Sequence, residues 1–358
     1  MHALNRKTTG LCNVCCRKAP ARIYEEGGRV LIRKACPRHG TSVGLVEKDP
    51  VFYRWFAGIP LRKPLHFTIM FLPVTHRCNV RCAYCFTGSS RTSDTAFDEI
   101  RQAVKDFKGE SVELSGGEPT LRQDLPRIIR AVKASGKQAV LETNGLRLAD
   151  ERYVRSLKRA GLGQVLFSFD SLKSAFYEKL SGNRNILAAK KKALLNLARQ
   201  RVATILSVTV YRGLNDRELN DLLMFAMRRT HFISQIRFRS CVPARGLAKS
   251  APAGYAFSEL FDLFARQAHI DRQQLKTDFL RSRLGRSVIF CLRGRIKEKK
   301  FIPASGVGAG AAKKLEVKIV SWPTVENIDL RDVKTSMACL TPAKKLLNFF
   351  IHNAKAAR

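Results

Sequence analysis

The stretch Cys78-Asn-Val-Arg-Cys82-Ala-Tyr-Cys85 follows directly on an apolar run, Phe67–Val74 (FTIMFLPV), that reads as a strand. The cysteine spacing is C-x3-C-x2-C. A loop this short can turn three thiolates toward one centre. Three thiolates hold three irons of a [4Fe–4S] cube, whereas ferredoxin-type clusters use four cysteines. One iron is then left open to a ligand, by the logic that separates catalytic from structural zinc sites. Cys78, Cys82 and Cys85 are the candidate cluster ligands, with a structural zinc as the alternative for the spacing taken alone.

Working outward from the cysteines, strands and helices alternate. Strands are predicted at Thr68–Val74, Val112–Leu114, Gln138–Glu142, Gln164–Asp170, Ala203–Val210 and Gln235–Arg239, with helices at Ser93–Phe107, Leu121–Ala134, Ala149–Arg159, Asn185–Arg201 and Asp216–Arg229. Such alternation implies parallel βαβ units. The expected fold is α/β, a partial (β/α)6 TIM-like barrel, whose chemistry sits where strands end and βα loops begin. Ser115-Gly116-Gly117-Glu118-Pro119 closes the second strand, which puts it on the same rim as the cysteines. The glycines let backbone approach a ligand closely, and Glu118 can accept hydrogen bonds from an ammonium group. The expected division is a metal-binding ribbon (1–50), a linker (51–66), the barrel (67–240) and a C-terminal α/β extension (241–358). Tyr255–Ala268 in the extension has an apolar helical face, and the Gly/Ala stretch Ser305–Ala312 reads as a flexible connector.

The N-terminal unit carries a second constellation, Cys12-x-x-Cys15 and Cys36-x-x-His39. Three sulfurs and one imidazole make a closed tetrahedral set, for zinc or for rubredoxin-like iron. Ala21–Tyr24 and Arg29–Arg33 read as two strands joined by a turn at Glu26-Gly27-Gly28. About fifty residues bury little core, so a metal staple is expected. Cys16 is a bystander or a substitute ligand. Cys241, Cys291 and Cys339 lie far apart; they read as isolated buried thiols, with a second cluster as the alternative.

Composition bounds the answer. The chain has 358 residues, 45% hydrophobic and 26% charged, which excludes wholesale disorder, collagen-like repeats and a coiled coil. The longest apolar run is too short to span ~30 Å of hydrocarbon, and the N-terminus has no apolar signal-peptide segment. The expected location is cytoplasmic. Sixty-five Lys+Arg against 29 Asp+Glu give a net charge of +36. Such a field favours polyanions, either nucleic acid or an anionic membrane surface. No recognised RNA-binding motif accompanies it. Lys344–Ile351 (KKLLNFFI) reads either as a basic amphipathic segment on anionic lipid or as a C-terminal helix packed on the barrel.

Together, the cysteine triad and Ser115–Pro119 resemble the radical S-adenosylmethionine (SAM) superfamily over residues 67–240. The resemblance implies cluster ligands at Cys78, Cys82 and Cys85 and an adenine neighbour at Tyr84. It implies a methionine-amino segment at Gly116, Gly117 and Glu118, next to Ser115. It implies ribose or carboxylate contacts at Glu142 and Asn144, a further rim element at Ser168 and Asp170, and a weaker candidate at Asn215. Polar residues at strand ends also cap helices and close turns, so each has a structural alternative. The implied reaction is reductive cleavage of SAM to a 5′-deoxyadenosyl radical that takes hydrogen from a substrate within an apolar-walled barrel. The electron comes from an external donor such as ferredoxin or flavodoxin. The N-terminal text resembles the branch containing hydroxymethylpterin methyltransferases and archaeal tetraether lipid synthases. It departs from that branch in having no cysteine in residues 51–77 and Phe350 near the C-terminal end. The expected substrate is a membrane lipid chain; the alternatives are methyl transfer or C–C chemistry on a pterin-like small molecule, and RNA modification.

Overall fold

The computed structural model describes residues 4–15, 17–59, 69–82, 85, 94–241, 254–281, 289–297, 300–303 and 315–320. Cys16, Tyr84, Ser305–Ala312, Cys339 and Lys344–Ile351 lie outside the described residues, as does the side chain of Cys291.

Four antiparallel strands open the chain: β1 (Asn5–Leu11), β2 (Lys18–Glu26), β3 (Arg29–Cys36) and β4 (Gly40–Glu47), paired in that order. Gly27 and Gly28, at φ +56° and +68°, make the tight β2–β3 turn that only residues tolerant of positive φ can make. Ile23, Val30 and Ile32 bury one face. The two middle strands match expectation; β1 and β4 are additional, and their polar sequences carry little strand propensity.

Helix α1 (Pro50–Gly58) occupies much of the segment expected as a linker. Its start is dictated locally: Asp49 accepts the Phe52 N–H at 2.9 Å and Pro50 supplies a preset φ.

The barrel then runs β5 (Ile69–Thr75), α2 (Phe97–Asp106), β6 (Ser111–Gly116), α3 (Leu125–Ala134), β7 (Gln138–Thr143), α4 (Glu151–Ala160), β8 (Leu162–Ser168), α5 (Ser174–Ser181), α6 (Ile186–Arg199), β9 (Ala203–Val210), α7 (Leu219–Met227) and β10 (Ile233–Ser240). The extension adds α8 (Phe257–Gln267), α9 (Arg272–Arg281), β11 (Ile289–Lys297), β12 (Lys300–Pro303) and β13 (Leu315–Val320). The sheet order is β5-β6-β7-β8-β9-β10-β13-β11-β12. All pairs from β5 to β10 are parallel, β13 adds to β10 in parallel, and β11 and β12 are antiparallel. The six expected strands are thus consecutive neighbours, and the extension supplies a seventh parallel one. Helix α5 was not legible in the sequence, and β8 stops at Ser168, which leaves Phe169-Asp170 in the following loop.

One face of the sheet carries Val112, Leu114, Leu141, Val165, Leu206, Val208, Ile236 and Phe238, packed under the helices in one core. The alternate positions face the other way. They are Glu113 and Ser115, Val140 and Glu142, Leu166 and Ser168, Ile205 and Ser207, then Gln235, Arg237 and Arg239, then Glu316 and Lys318. Among the described residues, Val140, Leu166 and Ile205 form an apolar cluster there. Arg239 Nη1 stands 3.9 Å from Glu142 Oε1, although β8 and β9 lie between their strands. The sheet therefore curls into an open barrel whose lumen is mixed. The expected apolar wall is present at Val140, Leu166 and Ile205, and charged side chains, Glu113, Glu142, Arg237 and Arg239, share the lumen with it.

The N-terminal unit is fastened to the extension. Glu47, 3% exposed, accepts the Ser258 N–H at 3.0 Å and its hydroxyl at 2.5 Å, which satisfies the start of α8. Lys48 pairs with Glu259, and Arg272 bridges Asp49 and Asp262. Phe52 packs on Phe257 and Phe261 with ring centroids 5.6 and 5.2 Å away. Burial pushes the Glu47 carboxyl up, against the pull of the Ser258 donors. Replacing Glu47 with Ala removes a cap and strands the Ser258 donors, so urea unfolding should show a loss of about 2 kcal/mol; an unchanged midpoint would contradict this fastening.

Candidate functional site

The cysteine loop leaves the end of β5 and is stapled at both ends. Arg77 donates to Asp94 through Nε at 2.9 Å and Nη2 at 2.6 Å, and the Thr75 hydroxyl donates to Asp94 Oδ1 at 2.6 Å. This two-pronged pair holds both carboxylate oxygens in a fixed plane. Arg122, 4% exposed, donates to the carbonyls of Val74 and Thr95 at 2.7 and 2.6 Å. The cysteines lie inside this closure, and the Cys85 N–H donates to the Cys82 carbonyl at 3.2 Å.

The Ser115–Pro119 segment lies against the loop's entry. The N–H groups of Gly117 and Glu118 donate to the carbonyls of Thr75 and Arg77 at 2.8 and 2.7 Å. A Cβ on Gly116 would sit 2.0 Å from Thr75 O, and one on Gly117 would sit 2.2 Å from Arg77 O. Gly116 also has φ +123°. The glycines are required here because the backbone of the cysteine loop approaches them.

Glu118 is fully buried. Its Oε1 accepts from the Thr120 N–H (3.1 Å), the Thr120 hydroxyl (2.5 Å) and the Thr143 hydroxyl (2.7 Å), and its Oε2 accepts the Asn144 N–H at 2.7 Å. Burial pushes this carboxyl up, and the four donors work against that rise. It clamps the ends of β6 and β7 together. Asn144 then extends the clamp to the cysteines, its amide donating to Asn79 Oδ1 at 2.8 Å. Glu142 lines the lumen beside Arg239.

Asp170 and Asn215 are also fasteners. Asp170 accepts the Thr209 N–H at 2.7 Å, and the Asn215 amide donates to the carbonyls of Asp170 and Thr209 at 2.6 and 2.8 Å. The Ser168 carbonyl receives a hydrogen bond from Lys190, as does that of Asn144, at 2.6 and 2.7 Å. Lys190 is 4% exposed. Its ammonium lies over the rings of Phe167 and Tyr177 and within electrostatic reach of Cys82, Asp170 and Glu118. Burial pulls the Lys190 ammonium down, and those acidic neighbours oppose the fall. In the sequence Lys190 opens a run of three lysines, Lys190-Lys191-Lys192. The signal that marks it is periodicity: it falls on the buried stripe Ile186, Leu187, Lys190, Ala193, Leu194, Leu197 of α6.

Burial pushes the Cys82 thiol up to about 12, reinforced by Asp170 and the neighbouring thiols, and it raises Cys78 as well. Without a cation these thiols keep their protons; binding iron displaces them. The hydroxyl of Ser115, 1% exposed at the end of β6, has no hydrogen-bond partner among the described residues.

The ribbon constellation is closed. The ligand atoms of Cys12, Cys15, Cys36 and His39 all lie within 4.8 Å of one another. His39 Nδ1 is 3.6 Å from the sulfurs of Cys12 and Cys36, and the sulfurs of Cys15 and Cys36 are 3.9 Å apart. Bonds of ~2.3 Å to sulfur and ~2.05 Å to nitrogen at tetrahedral angles give edges of roughly 3.8 Å between sulfurs and 3.6 Å from sulfur to nitrogen. The set therefore fits a tetrahedral ion. Burial raises the Cys12 thiol, but the N–H groups of Cys15 and Val14 and the neighbouring thiols bring it down to about 6, which favours the ligating thiolate.

Comparison with known proteins agrees with both sites. Residues 72–226 match the model of the Radical SAM superfamily, and residues 4–48 match that of the HMPTM N-terminal zinc ribbon domain. The chain thus carries a radical SAM domain behind a zinc ribbon. The 7,8-dihydro-6-hydroxymethylpterin dimethyltransferase of Methanocaldococcus jannaschii is 29% identical over 269 residues, covering 66% of this chain and 53% of that protein. The GTP 3′,8-cyclase of Helicobacter pylori is 31% identical over 208 residues, covering 55% of this chain and 62% of that protein. The chain thus spans about half the length of the dimethyltransferase.

The radical SAM cofactors, a [4Fe–4S] cluster and SAM, suit the residues present. Three thiols sit on a stapled loop, and the buried Lys190 ammonium lies within electrostatic reach of one of them. Zinc suits the ribbon set. If His39 completes that set, His39→Ala should lose most of the zinc that the wild type retains on gel filtration, read by plasma mass spectrometry, and full zinc content in the variant would contradict the assignment.

Proposed function

We propose that this chain is a radical SAM enzyme that activates a C–H bond of a small polar molecule held in the barrel. The observation that carries the proposal is the set of contacts holding the cysteine loop at the rim. The loop is fixed to β6 by the backbone and to β7 through Asn79 and Asn144, and Lys190 ties α6 to the ends of β7 and β8. Cys78, Cys82 and Cys85 would hold the cluster, and Ser115, Asn144, Ser168 and Lys190 border the adjoining space. When bound, cluster and SAM supply one-electron cleavage of a sulfonium and hydrogen abstraction.

The residues of this chain have three tasks. The Arg77–Asp94 and Glu118 clamps fix the loop whose cysteines would hold the cluster. Lys190 keeps a positive charge at the ends of β7 and β8, where it can pair with a carboxylate. Asp170 and Asn215 hold the β8 and β9 ends, and so the depth of the lumen, constant.

The substrate reading favours a pterin-like small molecule over a lipid chain. Burying an alkyl chain against Glu113, Glu142, Arg237 and Arg239 would strip water from charges without replacing it. Among the described residues, no helix is long and apolar enough to cross a membrane. An external one-electron donor is required, and the +36 net charge suits an acidic partner such as a ferredoxin or flavodoxin.

The test is anaerobic. Chain reconstituted with iron and sulfide, reduced, and given SAM with a reduced hydroxymethylpterin should form 5′-deoxyadenosine, and Cys82→Ala should form none. A reducible cluster in the wild type without any product would contradict the proposal.

A further inference from the structure

The lumen beneath the rim holds groups of both signs with hydrogen-bonding capacity left over. Glu113 is 9% exposed on β6, and among the described residues its carboxylate accepts no hydrogen bond. Burial and the Glu142 carboxylate push it up to about 7, while Arg237 and Arg239 pull it down. Those arginines stand on β10, with three strands between, so they face Glu113 across the barrel. Arg239 leans on the Thr209 hydroxyl at 3.2 Å, and Arg237 uses its Nε on Gln235. Ser115 and Ser207 are each 1% exposed, and among the described residues neither hydroxyl has a partner; both are sealed from the lumen. Ser207 pairs in register with Ser168 on one side and Arg237 on the other.

Unpaired buried polar groups are costly in a finished core, and in a binding site they are what rejects the wrong ligand. An anionic ligand would meet the bare Glu113 carboxylate, and a cation would meet two guanidiniums. A neutral planar molecule with adjacent donors and an acceptor on one edge satisfies both signs together.

We infer that Glu113, with Arg237 across the lumen, reads the donor–donor–acceptor edge of a 2-amino-4-oxopyrimidine ring. The carboxylate takes the ring N–H and the exocyclic amine side by side, and the guanidinium donates to the oxo group. That ring is common to pterins and guanine, the substrate parts of the two relatives above. The inference rests on the proposed use of the barrel as the substrate site and adds which residues choose the substrate.

The probes are 6-hydroxymethylpterin and lumazine, whose 2-oxo group replaces the 2-amino group. Fluorescence titration of the reconstituted full chain should show the pterin binding at least about tenfold tighter than lumazine. In Glu113→Gln, whose amide can donate to a 2-oxo group, that preference should collapse to about equal affinity. Iron content and the thermal midpoint of the same sample report whether the variant is intact. Equal affinity of the wild type for the two rings, binding of neither, or an unchanged preference in Glu113→Gln would overturn the inference. The titration needs no turnover. A chain that forms 5′-deoxyadenosine but does not discriminate sinks only this inference, and a chain that discriminates but never cleaves SAM sinks only the activity.

Discussion

A carboxylate with no water in reach organises the rim. Glu118 is buried where β6 and β7 end, and four protein donors replace its hydration. Removing one partner from such a group leaves a charge that the interior cannot solvate. The clamp sets the spacing of the two strand ends. Through Asn144 it also sets where the cysteine loop can lie. The two glycines before it serve the same end, since any side chain there would push the loop off by the bulk of a methyl group. The residues of this segment thus hold in place the loop that carries the cysteines.

Much of the architecture was legible because it is written in periodicities. Six strands separated by amphipathic helices gave the barrel, and knuckle spacing gave the ribbon set. The triad's spacing, followed by Ser115–Pro119 one unit later, gave the family. What escaped was written in exceptions to those patterns. Lys190 is a charge on an apolar stripe of α6. Glu113, Arg237 and Arg239 are charges alternating with core residues in strands of a parallel sheet, where continuous apolar runs are the norm. Such exceptions read as noise until the sheet is seen to curl and to turn one face inward. Asp170 and Asn215 fell to the other ambiguity of strand-end polar residues: the backbone groups of the turn claim their side chains first.

The ribbon gains its place by packing as well as by metal. Fifty residues with three fully buried aliphatics in their main cluster hold little core of their own. Phe52 of α1 and the Glu47–Ser258 contact tie the unit to α8, and α8 packs on β10 and β13. The sequence reads these residues as a linker because a single nine-residue helix with one buried side chain has too short a pattern to register. The same contacts join the N-terminal unit to the helix that follows the barrel, so the metal set and the extension carrying β13 are mechanically connected.

The central claim is that the cysteine loop presents a cluster with one iron open to a ligand at the mouth of the barrel lumen. Electron paramagnetic resonance of the reduced, reconstituted chain, recorded with and without SAM, addresses it directly. The expected result is a [4Fe–4S]+ signal whose g-values shift when SAM is added, since a ligand on the open iron changes its field. A cluster signal that SAM leaves unchanged, or a chain that takes up zinc but no reducible cluster at Cys78, Cys82 and Cys85, would contradict it.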